Sequence, residues 1–288
     1  MSRPPPLDLA SLAALVGLAL CSAACKDQAK ESASLAAGDV QAMADLVDKD
    51  VAEVERGLPE GAKQLAPLVA DGADPRQDIA GVRRALLRVR RDVSDLLVAK
   101  STFFALSDPA GIAIRNDLEE DVMAGKDLMT AFPVLAKAKD GYIAGTGSFG
   151  GPPSHNGPDE DWIAASPVKR GDGSVGALLV TGWSYRYFSR HLQEALKTRL
   201  LDVSKAAGTE GKLPVYYVAV FDKTGVYSAP TTPQIDEQVL ATQDLVSKTA
   251  AGATTGTLSI TDRAFGYAAR RTPKLAPDTG VVVLRSEP

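Results

Sequence analysis

In 288 residues there are only two histidines, His155 and His191, and two cysteines, Cys21 and Cys25. Few side chains are therefore available as nucleophile, proton shuttle or soft metal ligand. A zinc site or a nucleophilic centre needs several His, Cys or carboxylate groups converging at short spacing. The chain shows no such spacing and predicts no enzyme, no metal and no cofactor. The acidic runs Glu119-Glu120-Asp121 and Asp159-Glu160-Asp161 hold calcium-type oxygens but read as solvated turns. Gly145-Thr-Gly147-Ser-Phe-Gly150 has the lettering of a dinucleotide-binding turn, yet Gly151-Pro152-Pro153 follows where a helix would have to open. The match is accidental, and the run to Asp159 reads as a long loop. What remains is recognition chemistry. Arg115 can grip a carboxylate through two parallel N–H groups. Tyr142, Trp162 and Tyr185 offer flat faces to apolar or cationic groups, and Ser166 shares a strand face with Trp162 and can donate a hydrogen bond. Core packing is the competing reading for each aromatic, and a surface position for Arg115.

The N-terminus predicts where that recognition takes place. A sparse basic start at Arg3, an apolar run from Leu9 to Leu20 and small residues before a cysteine make an export signal. Cys25 follows Ala24, whereas Cys21 follows the bulky Leu20, so cleavage is expected after Ala24 with an acylated Cys25 as the mature N-terminus. The segment resembles a bacterial lipoprotein signal. An ordinary secretory leader and an uncleaved anchor are the alternatives, although the run is short for a bilayer-spanning helix. Lys26 stands where an acidic residue would resemble an inner-membrane retention signal, so the expected location is the cell envelope, lipid-anchored, with the periplasmic side of the outer membrane favoured over the inner membrane. Removal of residues 1–24 takes one Arg and one Asp and leaves the net charge at -4. Nucleic acid is not an expected partner; the bilayer, through Cys25, is.

The elements that must position the recognition residues follow from periodicity. Residues 25–38 are small and polar and read as a flexible tether. Residues 39–100 read as helical. Val40, Met43, Val47, Val51 and Val54 recur at spacings of three and four, with a stop expected near Gly57-Leu58-Pro59. A second helix starts near Gln77 and carries Val82, Leu86, Val89, Val93 and Leu96. Its other side holds Arg83, Arg84, Arg88, Arg90 and Arg91. Ion pairs with acids such as Asp92 and Asp95 are one reading of that face, and contact with anionic headgroups the other. From Thr102 the pattern changes to strands and repeats itself. Phe103-Phe-Ala-Leu-Ser-Asp108-Pro-Ala-Gly111 and Tyr217-Val-Ala-Val-Phe-Asp222-Lys-Thr-Gly225 each read as strand and tight turn. A helical stretch follows each, near 127–139 and 236–250. Each unit closes on a strand pair whose last member, Ala177 to Val180 or Val281 to Leu284, is apolar at consecutive positions, as a strand covered on both faces must be. The segment 185–207 carries Phe188, Leu192, Leu196, Leu200 and Val203 and reads as a covering helix.

The order helix, hairpin with Asp-x-x-Gly, helical excursion and closing strands, found twice, resembles the Cache domain, an extracellular PAS-like sensor fold, in its double form. The fold class expected is α+β: two PAS/Cache-like antiparallel-sheet modules in tandem, preceded by long N-terminal helices. The first module spans 101–184, a connecting helix 185–212, and the second module 213–288. The resemblance implies a small metabolite, an amino acid, carboxylate or amine, bound between sheet and excursion of the first module. Arg115, Tyr142, Trp162, Ser166 and Tyr185 are the candidates to line that site. Relatives of this kind sit outside the membrane on receptors and kinases. This chain has no apolar span after Arg285, so a message is expected to pass through an envelope protein partner. The alternative is a ligand-free structural or partner-binding lipoprotein.

Overall fold

The computed structural model describes residues 9–70, 72–97, 103–149, 157–209 and 213–288, with side chains described from Asp27 onward. Helix α1 (Leu9–Gln64) is a single rod of 56 residues, about 84 Å at the usual rise. Cys25 lies within it, its side chain outside the described set. The long loop, including His155, also falls largely outside, at 150–156. No helix of the described residues is long and apolar enough to cross a membrane.

The doubling expected from the sequence is present in full. In the first sheet are β1 (Phe103–Ser107), β2 (Ala113–Asn116), β3 (Ile143–Gly147), β4 (Asp161–Lys169) and β5 (Val175–Ser184); in the second are β6 (Val215–Phe221), β7 (Val226–Ser228), β8 (Thr254–Ile260), β9 (Arg263–Arg271) and β10 (Gly280–Ser286). The strand orders β2-β1-β5-β4-β3 and β7-β6-β10-β9-β8 are the same permutation. Both hairpins are headed alike. Asp108 accepts the N–H groups of Ala110 and Ile112 at 2.9 and 2.8 Å, and Asp222 those of Thr224 and Gly225 at 2.7 and 3.0 Å, the Asx turn that lets Asp begin a tight reversal. The consecutive apolar strands β5 and β10 are central and buried on both faces.

Helices α1, α2 (Ile79–Asp92) and α4 (Tyr185–Ala206) cover one face of both sheets through one continuous apolar cluster. The opposite faces carry separate clusters under the excursions. These are α3 (Leu128–Ala131) with a following 3-10 turn in the first module, and α5 (Gln234–Ala241) with α6 (Leu245–Lys248) in the second.

Two expectations about α1 are corrected. Residues 27–38 are not a loose tether but helix, and Ala29, Ser32, Ala33 and Ala36 are buried on it. Their small size serves close approach: a Cβ on Gly266 of β9 would fall within 2.5 Å of Ala33 Cα and Ser32 C. Nor does the helix stop at Gly57-Leu58-Pro59. Proline inside a helix costs about 3 kcal/mol, but Leu58 just before it and Ala62 and Leu65 after it are fully or nearly fully buried, and burial of such side chains returns about 1.5–3 kcal/mol for each leucine. On α2 part of the arginine face is ion-paired. Arg90 meets Asp117, Arg83 donates to the Asp117 carbonyl at 3.2 Å, and Arg91 pairs with Asp92 at 2.8 Å.

Candidate functional site

The structure separates three of the five candidate residues from one another. Arg115 is neither at the surface nor open to a ligand. It pairs with Asp121 at 3.1 Å and donates to the carbonyls of Leu118 and Glu119 at 2.7 and 3.0 Å, closing its own loop. Burial pushes the Asp121 carboxyl up, but hydrogen bonds from the Met123 N–H and from Arg115 outweigh it and leave it below its ordinary value. Asp121 is thus the carboxylate that Arg115 holds. Trp162 is fully buried and stacks on Trp183 at 4.3 Å, which stacks on Phe188 at 4.6 Å. Tyr185, at the start of α4, meets Thr279 Oγ1 at 3.5 Å and packs edge-on against Tyr227. It belongs to the seam between modules.

The face of the sheet also differs from expectation. Strand alternation puts Trp162, Ala164 and Ser166 on one side of β4 and Ile163 and Ala165 on the other. Trp162 and Ala164 join the helix-side cluster, and Ile163 and Ala165 the excursion-side cluster. Among the described residues the excursion side is packed with side chains: Phe149 lies edge-on to Phe103 and Phe132 at 5.5 and 4.8 Å, beside Leu128, Leu135, Leu178 and Val180.

Tyr142 and Ser166 do come together, on the helix side. They line a cavity of about 380 Å³ with Pro59 and Lys63 of α1, Ala66, Gly141, Pro167 and Lys169. The Tyr142 hydroxyl is buried without a hydrogen-bond partner in the described structure, and burial, with Glu55 adding to it, holds its proton on well above the ordinary phenol range. A buried hydroxyl left unpaired costs about 1–3 kcal/mol. Lys63 contacts Glu60 at 3.2 Å from an exposed position, and Lys169 is exposed. Two hydroxyls, two ammonium groups and an apolar floor suit a small carboxylate. The lysines were not singled out from sequence because Lys63 lies past the expected end of α1 and Lys169 at a strand end.

A second polar centre fastens the modules together. Arg186 of α4 donates to Glu237 of α5 at 2.6 and 3.0 Å and to the Pro158 carbonyl at 3.1 Å. Beside it Asp159, Glu160 and Asp161 are not the solvated turn expected. Burial pushes Glu160 up to about 7, with Asp222, Asp161 and Asp159 adding repulsion, and pushes Asp161 up to about 6. Carboxyls raised on folding bind protons more tightly in the folded than in the unfolded chain, so their contribution is present at acid pH and lost as pH rises through about 6–7. Discounted for solvent screening, the loss is on the order of 1–2 kcal/mol. The melting temperature is expected to be several degrees higher at about pH 5 than at about pH 7.5, and Asp161→Asn should flatten that slope. Among the described residues no set of three His, Cys, Asp or Glu side chains is placed to hold a metal.

No family model matches the sequence, and no curated protein matches it. Solved structures do resemble it in shape. The sensor domain of the V. cholerae histidine kinase DctB superposes with a TM-score of 0.54 at 13% identity, over 91% of this chain and 99% of that one. The chain has the double Cache, PAS-like α+β fold. The ligand-binding domain of the Campylobacter jejuni chemoreceptor Tlp3, in complex with 4-methylisoleucine, shares that double Cache shape at a TM-score of 0.50 and 11% identity, over 90% of this chain and 92% of that one. An extracellular ligand binding receptor from Desulfohalobium retbaense is matched at 10% identity and a TM-score of 0.45, over 86% of this chain and 39% of that one. The first two are a sensor domain and a ligand-binding domain. Within this fold, the open groove lies between α1 and the edge of the first sheet.

Proposed function

We propose that the chain is a ligand-binding sensor domain of the cell envelope that takes a small carboxylate in its first module and passes the signal to a partner protein. The observation that carries this reading is the cavity where the unpartnered Tyr142 hydroxyl and Ser166 meet Lys63 and Lys169. Its size, about 380 Å³, is at the small end of metabolite sites. The route for the signal is α1 itself. The helix borders the cavity near its C-terminal end and packs on the second sheet further back. Toward its N-terminus lies Cys25, which in this reading carries the lipid that ties the protein to the membrane. A ligand gripping the end of α1 favours one of two settings of that rod.

The test is thermal unfolding of the full chain in mild detergent against a panel of short mono- and dicarboxylates, with amines of matched length beside them. A carboxylate at a hundred times its dissociation constant adds about 2.7 kcal/mol, which raises the midpoint by about 5 °C or more. Lys169→Gln and Tyr142→Phe should each remove most of the shift. If no carboxylate raises the midpoint, the reading fails. The packed excursion side of the first sheet favours a second reading, a partner-binding lipoprotein without ligand, and that outcome is the one it predicts.

A further inference from the structure

The second module has a groove of its own, independent of the cavity in the first. It measures about 350 Å³ and lies between the start of α5, the end of β8 and the start of β9. Tyr217, Phe265, Ile235 and Ile260 form its apolar walls. Two opposite charges are set into those walls.

The first is Asp236, in the first turn of α5 and only 5% exposed. Its carboxylate makes no hydrogen bond or ion pair among the described residues. A carboxylate at this helix position usually reaches back to the N–H of the capping residue. Here the capping residue is Pro233, which has no N–H to offer. The local partner is removed by the sequence itself, and the carboxylate, on a residue that is otherwise buried, faces the groove without a protein partner. Burial pushes it up and Arg263 pulls it down, so the two charges feel one another without forming an ion pair.

The second charge is Arg263 on β9, opposite Ile260. Alternation puts Arg263 on the same face as Phe265 and Tyr267, the face that the excursion covers. Its guanidinium is exposed and has no ion pair among the described residues. The turn that brings it there is strained: Thr261 and Asp262 both take the left-handed conformation, at φ of 50° and 63°, where such hairpin turns ordinarily use Asn and Gly. Thr is β-branched and poorly suited to that region. Such strain tends to persist where position matters, and Thr261 is itself part of the groove wall.

We infer that this groove is a second recognition site, for a small zwitterion with an apolar body: its ammonium on Asp236, its carboxylate on Arg263, and its hydrocarbon part among Tyr217, Phe265, Ile235 and Ile260. A plain cation would satisfy Asp236 and be repelled by Arg263. A plain anion would do the reverse. Only a ligand with both charges pairs the carboxylate and the guanidinium at once.

The probes are leucine, isopentylamine, which lacks the carboxylate, and 4-methylpentanoate, which lacks the ammonium. Each is titrated into the full chain by calorimetry or by ligand-observed NMR. Leucine is expected to bind at least about ten-fold more tightly than either half-molecule, since each lost charge-assisted hydrogen bond is worth about that factor. Asp236→Asn should weaken leucine about ten-fold or more, and Arg263→Gln should bring leucine down to the level of isopentylamine. Arg263 is exposed, so its variant tests the site even if Asp236→Asn were to unfold. Absence of leucine binding to the native chain overturns the inference. So does leucine binding that both variants leave intact. Leucine binding lost in Lys169→Gln but kept in Asp236→Asn would assign it to the first-module cavity and also overturn it, while leaving the carboxylate reading of that cavity standing.

Discussion

Replacing Glu237 with alanine is expected to destabilise the protein by about 3–5 kcal/mol, the usual cost of leaving one member of a buried ion pair without the other. The Arg186 and Glu237 side chains are 3% and 9% exposed. The carboxylate receives both arms of the guanidinium, at 2.6 and 3.0 Å, and the Ser228 N–H at 3.0 Å, with the Ser228 hydroxyl on the same oxygen. Arg186 in turn holds the Pro158 carbonyl through Nε at 3.3 Å. One cluster therefore joins the loop leading into β4, the first turn of α4, β7 and α5. Loss of Glu237 strands a cation among all four. In urea the variant should unfold at lower concentration and lose the single transition, because the modules no longer share their fastening. The double variant Arg186→Met, Glu237→Leu should be less damaged than Glu237→Ala, since it buries no unpaired charge. If Glu237→Ala shifts stability by less than about 1 kcal/mol, the cluster does not hold the modules together.

Gly266→Val is the second large effect. The ideal Cβ at Gly266 would overlap the Ala33 nitrogen and lie within 2.5 Å of Ala33 Cα and Ser32 C. All of these are helix backbone, so no flexible side chain can move aside. Either β9 or α1 must shift, at about 1–3 kcal/mol or more. The shift would also break the contacts that continue the docking: Ser32 Oγ accepting from the Glu287 N–H at 3.2 Å, Gln28 donating to the Glu287 carbonyl at 3.1 Å, and Arg285 donating to Asp39 at 2.6 Å. Urea unfolding should report the loss, and hydrogen exchange should show 28–39 unprotected before the rest. Gly38→Ala makes the internal comparison. It lies in the same helix with open space around it, so alanine there should be neutral or stabilising by up to about 1 kcal/mol. Equal effects at the two glycines would refute the close docking of α1.

These two positions also show what a sequence discloses and what it conceals. The repeat was legible because Asp108 and Asp222 start the same turn and because the runs 177–180 and 281–284 can only be strands covered twice. The strands β3 and β8 were not. Gly147 is required by contact with the Ala131 carbonyl and the Phe132 ring, and Gly256 by the Tyr267 ring at 2.5 Å, so both edge strands read as glycine-rich and weakly patterned. The stretch 27–38 looked like a linker because small residues serve flexibility and tight packing equally well. Pairing Tyr142 with Ser166 was within reach, as both lie near facing strand ends. Which side of the sheet they faced was not, since alternation divides a strand into two faces without saying which one meets the helices. Arg115 looked free only because its partner, Asp121, closes a loop that periodicity does not reveal.

Hydrogen–deuterium exchange of the full chain, with and without the carboxylate that raises its melting temperature most, tests the sensor reading most directly. Added protection is expected at residues 59–66, 141–147 and 166–169, around the cavity, and along α1 where it crosses the second sheet. Protection confined to the excursion, residues 123–138, with α1 unchanged, would contradict it.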